Sequence, residues 1–287
     1  MEEVKWFESI NVEALGIVAS CDLSHSDAAL CLEQVQSASP LVTGLRWLLQ
    51  PAHSARVNGT DLIKDEGFRS IYASLKDTTL SWDLQCDVDQ LDDFRDLMMS
   101  RNQETLVVIN HLGRLVAWPA DATTPDQDAI LAWREAMTSM AALDNTYVKI
   151  SMLGHMVADW IADTEKEALV RDLVLETVSL FGPDRCMVNT NWWFNAAVAD
   201  SDFAGTVGPE PVQFLEKTKS WFDYGNITEK DQEWLYWKSA EVFYLGRDFD
   251  EKDSSDTTSF DTSIDAAPTL SRFPIYLLLF TVLSAVA

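Results

Sequence analysis

Short apolar runs alternate with amphipathic stretches from about residue 5 to residue 246. LGIVASCDL (15–23), VTGLRWLL (42–49), TTLSWDLQC (78–86), TLVVINHLG (105–113), TYVKISML (146–153) and RCMVNT (185–190) read as strands. In TTLSWDLQC the alternation is strict: Leu80, Trp82 and Leu84 fall on one face, Ser81, Asp83 and Gln85 on the other. Between the strands lie helical patterns. SHSDAALCLEQVQSA follows the first strand, and DQDAILAWREAMTSMAALDN places Ile130, Trp133, Met137 and Met140 on one stripe. KEALVRDLVLETVSLFG closes on Gly182, with Pro183 just beyond. GPEPVQFLEKTKSWF and KDQEWLYWKSAEVFYLG read as terminal helices.

Strands alternating with helices at this spacing imply parallel strands joined by helical crossovers, an α/β fold. Each predicted strand ends in polar residues: Ser20 and Asp22, Arg46, Asp83 and Gln85, Asn110 and His111, Lys149 and Ser151, Asn189 and Asn191. In a TIM (β/α) barrel, side chains at the C-terminal strand ends converge on one site, whereas an open doubly wound sheet concentrates them near a switch point. Polar ends on every strand favour the barrel. A closed barrel of that type has eight strands, and the pattern supplies six. Parity predicts that Lys149 points inward with Tyr147 and Ser151. A buried lysine needs a partner, and either Asp83 or a substrate carboxylate would serve.

Charge narrows the partners. The 287 residues carry 21 basic and 46 acidic side chains, a formal net charge of −25. Such a surface repels phosphate backbones and argues against nucleic acid. A solvated acidic surface is the simplest account of it. Apolar content of 47% with eleven tryptophans supports a large core. Cys21, Cys31, Cys86 and Cys186 are widely spaced and form no CxxC pair, so neither a disulfide framework nor a zinc knuckle is expected. Three of them fall in predicted strands, where a thiol packs as a small apolar group.

Three segments are predicted: a barrel domain over 1–248, an acidic Ser/Thr-rich linker over 249–272 and a hydrophobic tail over 273–287. The tail FPIYLLLFTVLSAVA is short beside the about 17–25 residues of a membrane span. A polar small-residue spacer before a short apolar terminus matches a GPI attachment signal, with a tail anchor as the other reading. Either places the protein at a membrane, with the rest otherwise cytoplasmic. Sequons at Asn58 and Asn226 fit a secretory route, and the N-terminus MEEVKWFESI lacks a signal pattern.

INHLGRL (109–115), DNTYVKISMLG (144–154) and FGPDRCMVNTNWW (181–193) resemble the amidohydrolase-related family of TIM-barrel hydrolases. LGIVASCDLSHSDAALCLEQVQSASPLVTGLRWLL is similar to that family's third and fourth strands, and KSAEVFYLG to its closing helix. The likeness runs in order from about Glu3 to Gly246. It implies a hydrolytic site at the barrel mouth, often with a divalent metal such as zinc, and small-molecule substrates such as lactones, carboxylated aromatics and amides. His111 matches the family's histidine at the end of a middle strand, and Asn191 a position that is Asp in many members. These are the catalytic candidates. Arg46 matches a strand arginine suited to an anionic group, and Lys149 a recurrent lysine. Asp83, Gln85 and Trp192 complete the expected substrate-binding set; Trp192 and Trp193 suit a ring pocket and equally suit a cap on the barrel.

Two departures stand out. The family's first strand carries a His-x-His pair. This chain has four histidines, His25, His53, His111 and His155, and no such pair, so the family's first two strands are expected to be missing. At Asn191 an amide cannot serve as the general base that activates water, although one branch of the family carries Asn there. A hydrolytic zinc usually has three protein ligands and an open position, and that set cannot be assembled here. Nucleophile-elbow, P-loop and dinucleotide motifs are absent. The readings are therefore a hydrolase of cyclic or carboxylated esters and amides, a silent membrane-tethered barrel that binds or scaffolds, or a piece of a longer hydrolase.

Overall fold

The computed structural model describes residues 4–5, 16–50, 61–190 and 211–249. Six parallel strands form one sheet: β1 (Ile17–Ser20), β2 (Val42–Leu48), β3 (Ser81–Gln85), β4 (Val107–Ile109), β5 (Thr146–Ile150) and β6 (Cys186–Val188). Their spatial order is their chain order. Each crossover therefore steps in the same direction, and the right-handed rule puts every crossover helix on the same face, the half-barrel arrangement rather than the doubly wound one.

The crossovers carry α1 (Ala28–Ala38), α2 (Glu66–Ser74), α3 (Leu91–Arg101), α4 (Gln127–Ala141) and α5 (Thr164–Phe181). After β6 come α6 (Pro211–Tyr224) and α7, built from Glu229–Glu233, a π-turn segment Trp234–Lys238 and Ser239–Leu245. Local chemistry sets the ends. Asp65, Asp126 and Asp163 cap α2, α4 and α5 by accepting backbone N–H bonds, and Thr228 does so for α7. Gly246, at φ 61°, closes α7 in the left-handed conformation that glycine adopts freely. Helices α2 and α3 lie where the sequence pattern assigned no element.

The outer sheet face packs on the helices through the main core. Trp82 stands edge-on to Phe68 and Tyr72, and Tyr72 edge-on to Phe94. The period-two reading of β3 holds: Trp82 and Leu84 face the helices, while Asp83 faces inward. The inner face has its own core. Val18, Val108, Tyr147 and Met187 pack there against Ala240, Phe243 and Tyr244 of α7. The closing helix thus lies over the inside of the sheet.

One expectation is corrected. Cys21 and Cys31 form a disulfide, with Cα atoms 6.2 Å apart, while Cys86 and Cys186 are free and buried. β1 ends at Ser20 and the chain turns back into α1 at Ala28, so the first turn of that helix passes Cys21. Spacing in sequence carried no trace of that turn. Cys186 lies within β6, but Cys21 and Cys86 fall one residue past the ends of β1 and β3.

His53, the Asn58 sequon, Asn191, Trp192, Trp193 and the tail over 273–287 lie outside the described residues. The Asn226 sequon is exposed between α6 and α7. Among the described residues no helix is long and apolar enough to cross a membrane.

The Trp82 ring is fully buried against the Phe68 and Tyr72 rings, so Trp82→Ala is expected to cost about 3–5 kcal/mol in denaturant unfolding. A loss below about 1 kcal/mol would contradict this packing.

Candidate functional site

Strand register sorts the inward side chains into layers. Ser20, Arg46, Asp83, Val108 and Tyr147 lie level across β1 to β5. One step toward the C-terminal ends, Leu48 pairs with Gln85, and Lys149 with Met187. Asn110 follows β4 directly, and His111 and Ser151 stand just beyond β4 and β5. The polar strand ends therefore share one end of the sheet.

At its centre is a buried ion pair. Lys149 Nζ donates to Asp83 Oδ2, and the Tyr244 hydroxyl donates to Asp83 Oδ1 at 2.7 Å. Asp83 is 1% and Lys149 3% exposed. Of the two partners open to Lys149, Asp83 is the one it meets. Burial pushes the Lys149 ammonium below its ordinary pKa against the pull of Asp83, and burial beside Asp83 pushes the Tyr244 phenol well up. Both carboxylate oxygens are thus engaged within the protein. The Lys149 ammonium also lies 5.4 Å from the centre of the Tyr244 ring.

His111 sits on an unusual turn. His111, Leu112, Gly113 and Arg114 have φ of 56°, 51°, 68° and 58°, a run of left-handed residues of which only Gly113 is suited to it. Non-glycine residues in that region cost on the order of 1–3 kcal/mol each and persist only where the surroundings impose them. Two contacts do so. The Trp133 indole donates to the Leu112 carbonyl at 2.9 Å, and Arg114 Nε donates to Asp87 at 3.1 Å. His111 Nδ1 then lies 2.8 Å from Ser151 Oγ. Burial, followed by the charges of Arg46, Lys149, Arg114 and His155, holds the imidazole well below its ordinary pKa. It is neutral at pH 7.

Arg46 is partly exposed, and its guanidinium makes no hydrogen bond or ion pair among the described residues. Burial, with Arg114 adding to it, lowers its pKa, and Asp83 and Tyr244 oppose the shift. Arg114 also reaches His155 Nε2 at 3.2 Å. Arg46, Arg114 and Lys149 thus face two carboxylates, Asp83 and Asp87. Around them the buried Gln85 Oε1 and both polar side-chain atoms of Asn110 have no partner among the described residues. Sequence reasoning missed Tyr244 and Arg114, and gave His155 no place in the site. Asn110 and Ser151 were visible only as polar strand ends. Asn191 and Trp192 are the proposed site residues outside the described chain.

A divalent metal does not fit this donor set. His111 Nδ1 is engaged by Ser151, Asp83 is held by Lys149 and Tyr244, and three cations crowd both. Among the described residues no group of three His, Cys, Asp or Glu side chains is placed to hold one.

The family profile described as Amidohydrolase matches residues 15–245. The chain belongs to the amidohydrolase family. An uncharacterized protein of Sinorhizobium fredii, y4mH, is 26% identical over 197 residues, 66% of this chain and 61% of that protein. The chain thus spans about three-fifths of the curated relative it matches. A crystal structure of a Burkholderia multivorans amidohydrolase with bound HEPES superposes with a TM-score of 0.68 at 19% identity, covering 85% of this chain and 79% of that one. A candidate 2-pyrone-4,6-dicarboxylic acid hydrolase of Pseudomonas putida gives a TM-score of 0.55 at 15% identity, over 79% of this chain and 71% of that one. 2,6-Dihydroxybenzoate decarboxylase complexed with 2,6-dihydroxybenzoate gives 0.51 at 11%, over 85% and 75%. At these identities the likenesses show the fold, the amidohydrolase TIM-barrel type.

The neutral His111 has a consequence for acid stability. The unfolded chain protonates this residue near the ordinary value of about 6.5, and the folded chain does so only well below it. The unfolded state therefore binds more protons below about pH 6.5, and stability falls with acidification there by up to about 1.4 kcal/mol per pH unit. Above that pH the residue contributes no slope. Unfolding of His111→Gln across pH 5–7 should lack this part of the slope, and an unchanged slope would show that His111 is not held neutral.

Proposed function

We propose that this amidohydrolase-family chain hydrolyses a small ester, lactone or amide that carries a carboxylate, bound at the C-terminal ends of the strands. The observation that carries the reading is Arg46: a half-buried guanidinium without an ion pair or hydrogen bond among the described residues, in a protein of net charge −25. An acidic chain that leaves a cation unneutralised beside Arg114 and Lys149 has arranged a local field that favours an anion. Guanidinium pairs with carboxylate through parallel N–H bonds, a geometry that fixes orientation as well as charge. Gln85 Oε1 accepts and the Asn110 amide both donates and accepts, which suits a substrate with a carbonyl and a hydroxyl or amide N–H. The names of the decarboxylase and of the candidate dicarboxylic acid hydrolase, both built on carboxylated rings, are consistent with this class.

A second reading, binding without turnover, draws on Asp83. Both its oxygens are occupied inside the protein, so it is not free to activate water. The two readings part on one assay. Turnover of a panel of carboxylated aryl esters and lactones supports the hydrolase; binding of the same compounds with no product supports the silent barrel.

Arg46→Gln is expected to weaken binding of a carboxylated ligand by roughly 10–100-fold, the loss of one charge-assisted contact, and to leave the matching neutral amide unaffected. Equal losses for the two ligands would contradict the role of Arg46.

A further inference from the structure

We propose that Asn226 carries an N-linked glycan whose first sugar lies on the ring of Tyr224. The inference is independent of the hydrolase reading and concerns the exposed turn between α6 and α7. The segment YGNIT, residues 224 to 228, holds the acceptor pattern Asn-x-Thr with an aromatic residue two places before the asparagine.

The backbone fixes this turn. Asn226 N–H donates to the Asp223 carbonyl at 3.1 Å and Ile227 N–H to the Phe222 carbonyl at 2.9 Å, the paired bonds of a Schellman helix end, with Asn226 left-handed at φ 56°. Phe222 is buried and Ile227 packs against the same core, which pins the turn to the domain. Glycine is the usual residue at such a left-handed position, yet here the glycine stands one place earlier, at Gly225. Asparagine is the other residue the position accepts, and it brings a carboxamide nitrogen. Asn226 and Thr228 are both exposed, and the Asn226 side chain makes no hydrogen bond among the described residues. Capping of α7 alone accounts for Thr228. The ring at 224 is a separate observation.

Tyr224 is 65% exposed. The Arg171 guanidinium of α5 lies over its ring, 4.2 Å from the centre, and steadies it. One face of a pyranose presents only C–H groups, and an aromatic ring takes such apolar surface while its hydroxyl stays in water. Two residues apart on a rigid turn, Asn226 would hold the first sugar and Tyr224 would receive its face. The Cys21–Cys31 bond agrees on the compartment, because disulfides form and persist in the oxidising lumen where chains are also glycosylated. The donor there is an oligosaccharide joined through pyrophosphate to a lipid. The Asn226 carboxamide nitrogen attacks the anomeric carbon and an N–C bond forms. The C–O bond to pyrophosphate breaks, the nitrogen gives up one proton, and the lipid pyrophosphate leaves. Nothing is oxidised or reduced in the transfer.

The test uses the native full chain purified from its source cells. Its peptides are mapped before and after peptide N-glycosidase in heavy-oxygen water, without reduction. A sugar-bearing peptide is expected at Asn226, converted by the enzyme to one with heavy-oxygen aspartate at that position, beside a cross-linked Cys21–Cys31 peptide. An unmodified Asn226 in the native chain overturns the proposal, whatever the state of the cysteines. Thermal unfolding then tests the ring: removing the glycan should lower the wild-type midpoint by roughly 2–4 °C and leave that of Tyr224→Ser unchanged. Equal shifts in the two chains would overturn the contact between the sugar and Tyr224.

Discussion

Asp83 holds this structure's interior together. Its two oxygens receive Lys149 from β5 and Tyr244 from α7, so one carboxylate joins two strands and the closing helix. A charge so deeply buried costs several kcal/mol in desolvation and is tolerated only with its partners in place. The same contact ties into the inner core, where Tyr244 packs with Phe243 and Tyr147. α7 in turn covers the inner face. The fold and the polar site therefore share one anchor.

That anchor also decides what is left for chemistry. Lys149 and Asp83 pair with one another, whereas Arg46 makes no ion pair among the described residues and His111 is kept neutral by burial and by the cations around it. The distribution runs against the chain's overall acidity. Fixed positive charge gathered where the strands end is unsuited to a divalent cation and suited to an anion, which separates the described residues of this chain from a site organised around zinc. The neutral imidazole and Ser151 occupy the same end of the sheet, the imidazole on a turn of left-handed residues held by Trp133 and Arg114.

The sheet was legible in the sequence because it rests on a one-dimensional signal. Alternation in TTLSWDLQC put Trp82 outward and Asp83 inward, and parity in TYVKISML put Lys149 inward, both as observed. Two helices were not legible. In α2 only Phe68 and Tyr72 are fully buried among polar residues, and α3 is rich in charge on its outer side, so neither stood out beside the strands. Tyr244 could not be found from spacing, because it meets Asp83 across 161 residues through the placing of a helix. The Cys21–Cys31 bond and the His111 turn escaped for a related reason: each is set by local backbone path, and composition says little about path. Arg114 had a signal, a fixed cation three residues after a strand-end histidine, that the reading passed over.

The direct test of the account is a double-mutant cycle on the buried pair, with Asp83→Asn, Lys149→Met and the double variant unfolded in denaturant. Each single variant leaves a buried charge without its partner and is expected to cost about 3–5 kcal/mol. The double variant removes both charges and should cost far less than the two together. Additivity within about 0.5 kcal/mol would show that Asp83 and Lys149 do not depend on one another and would contradict the account.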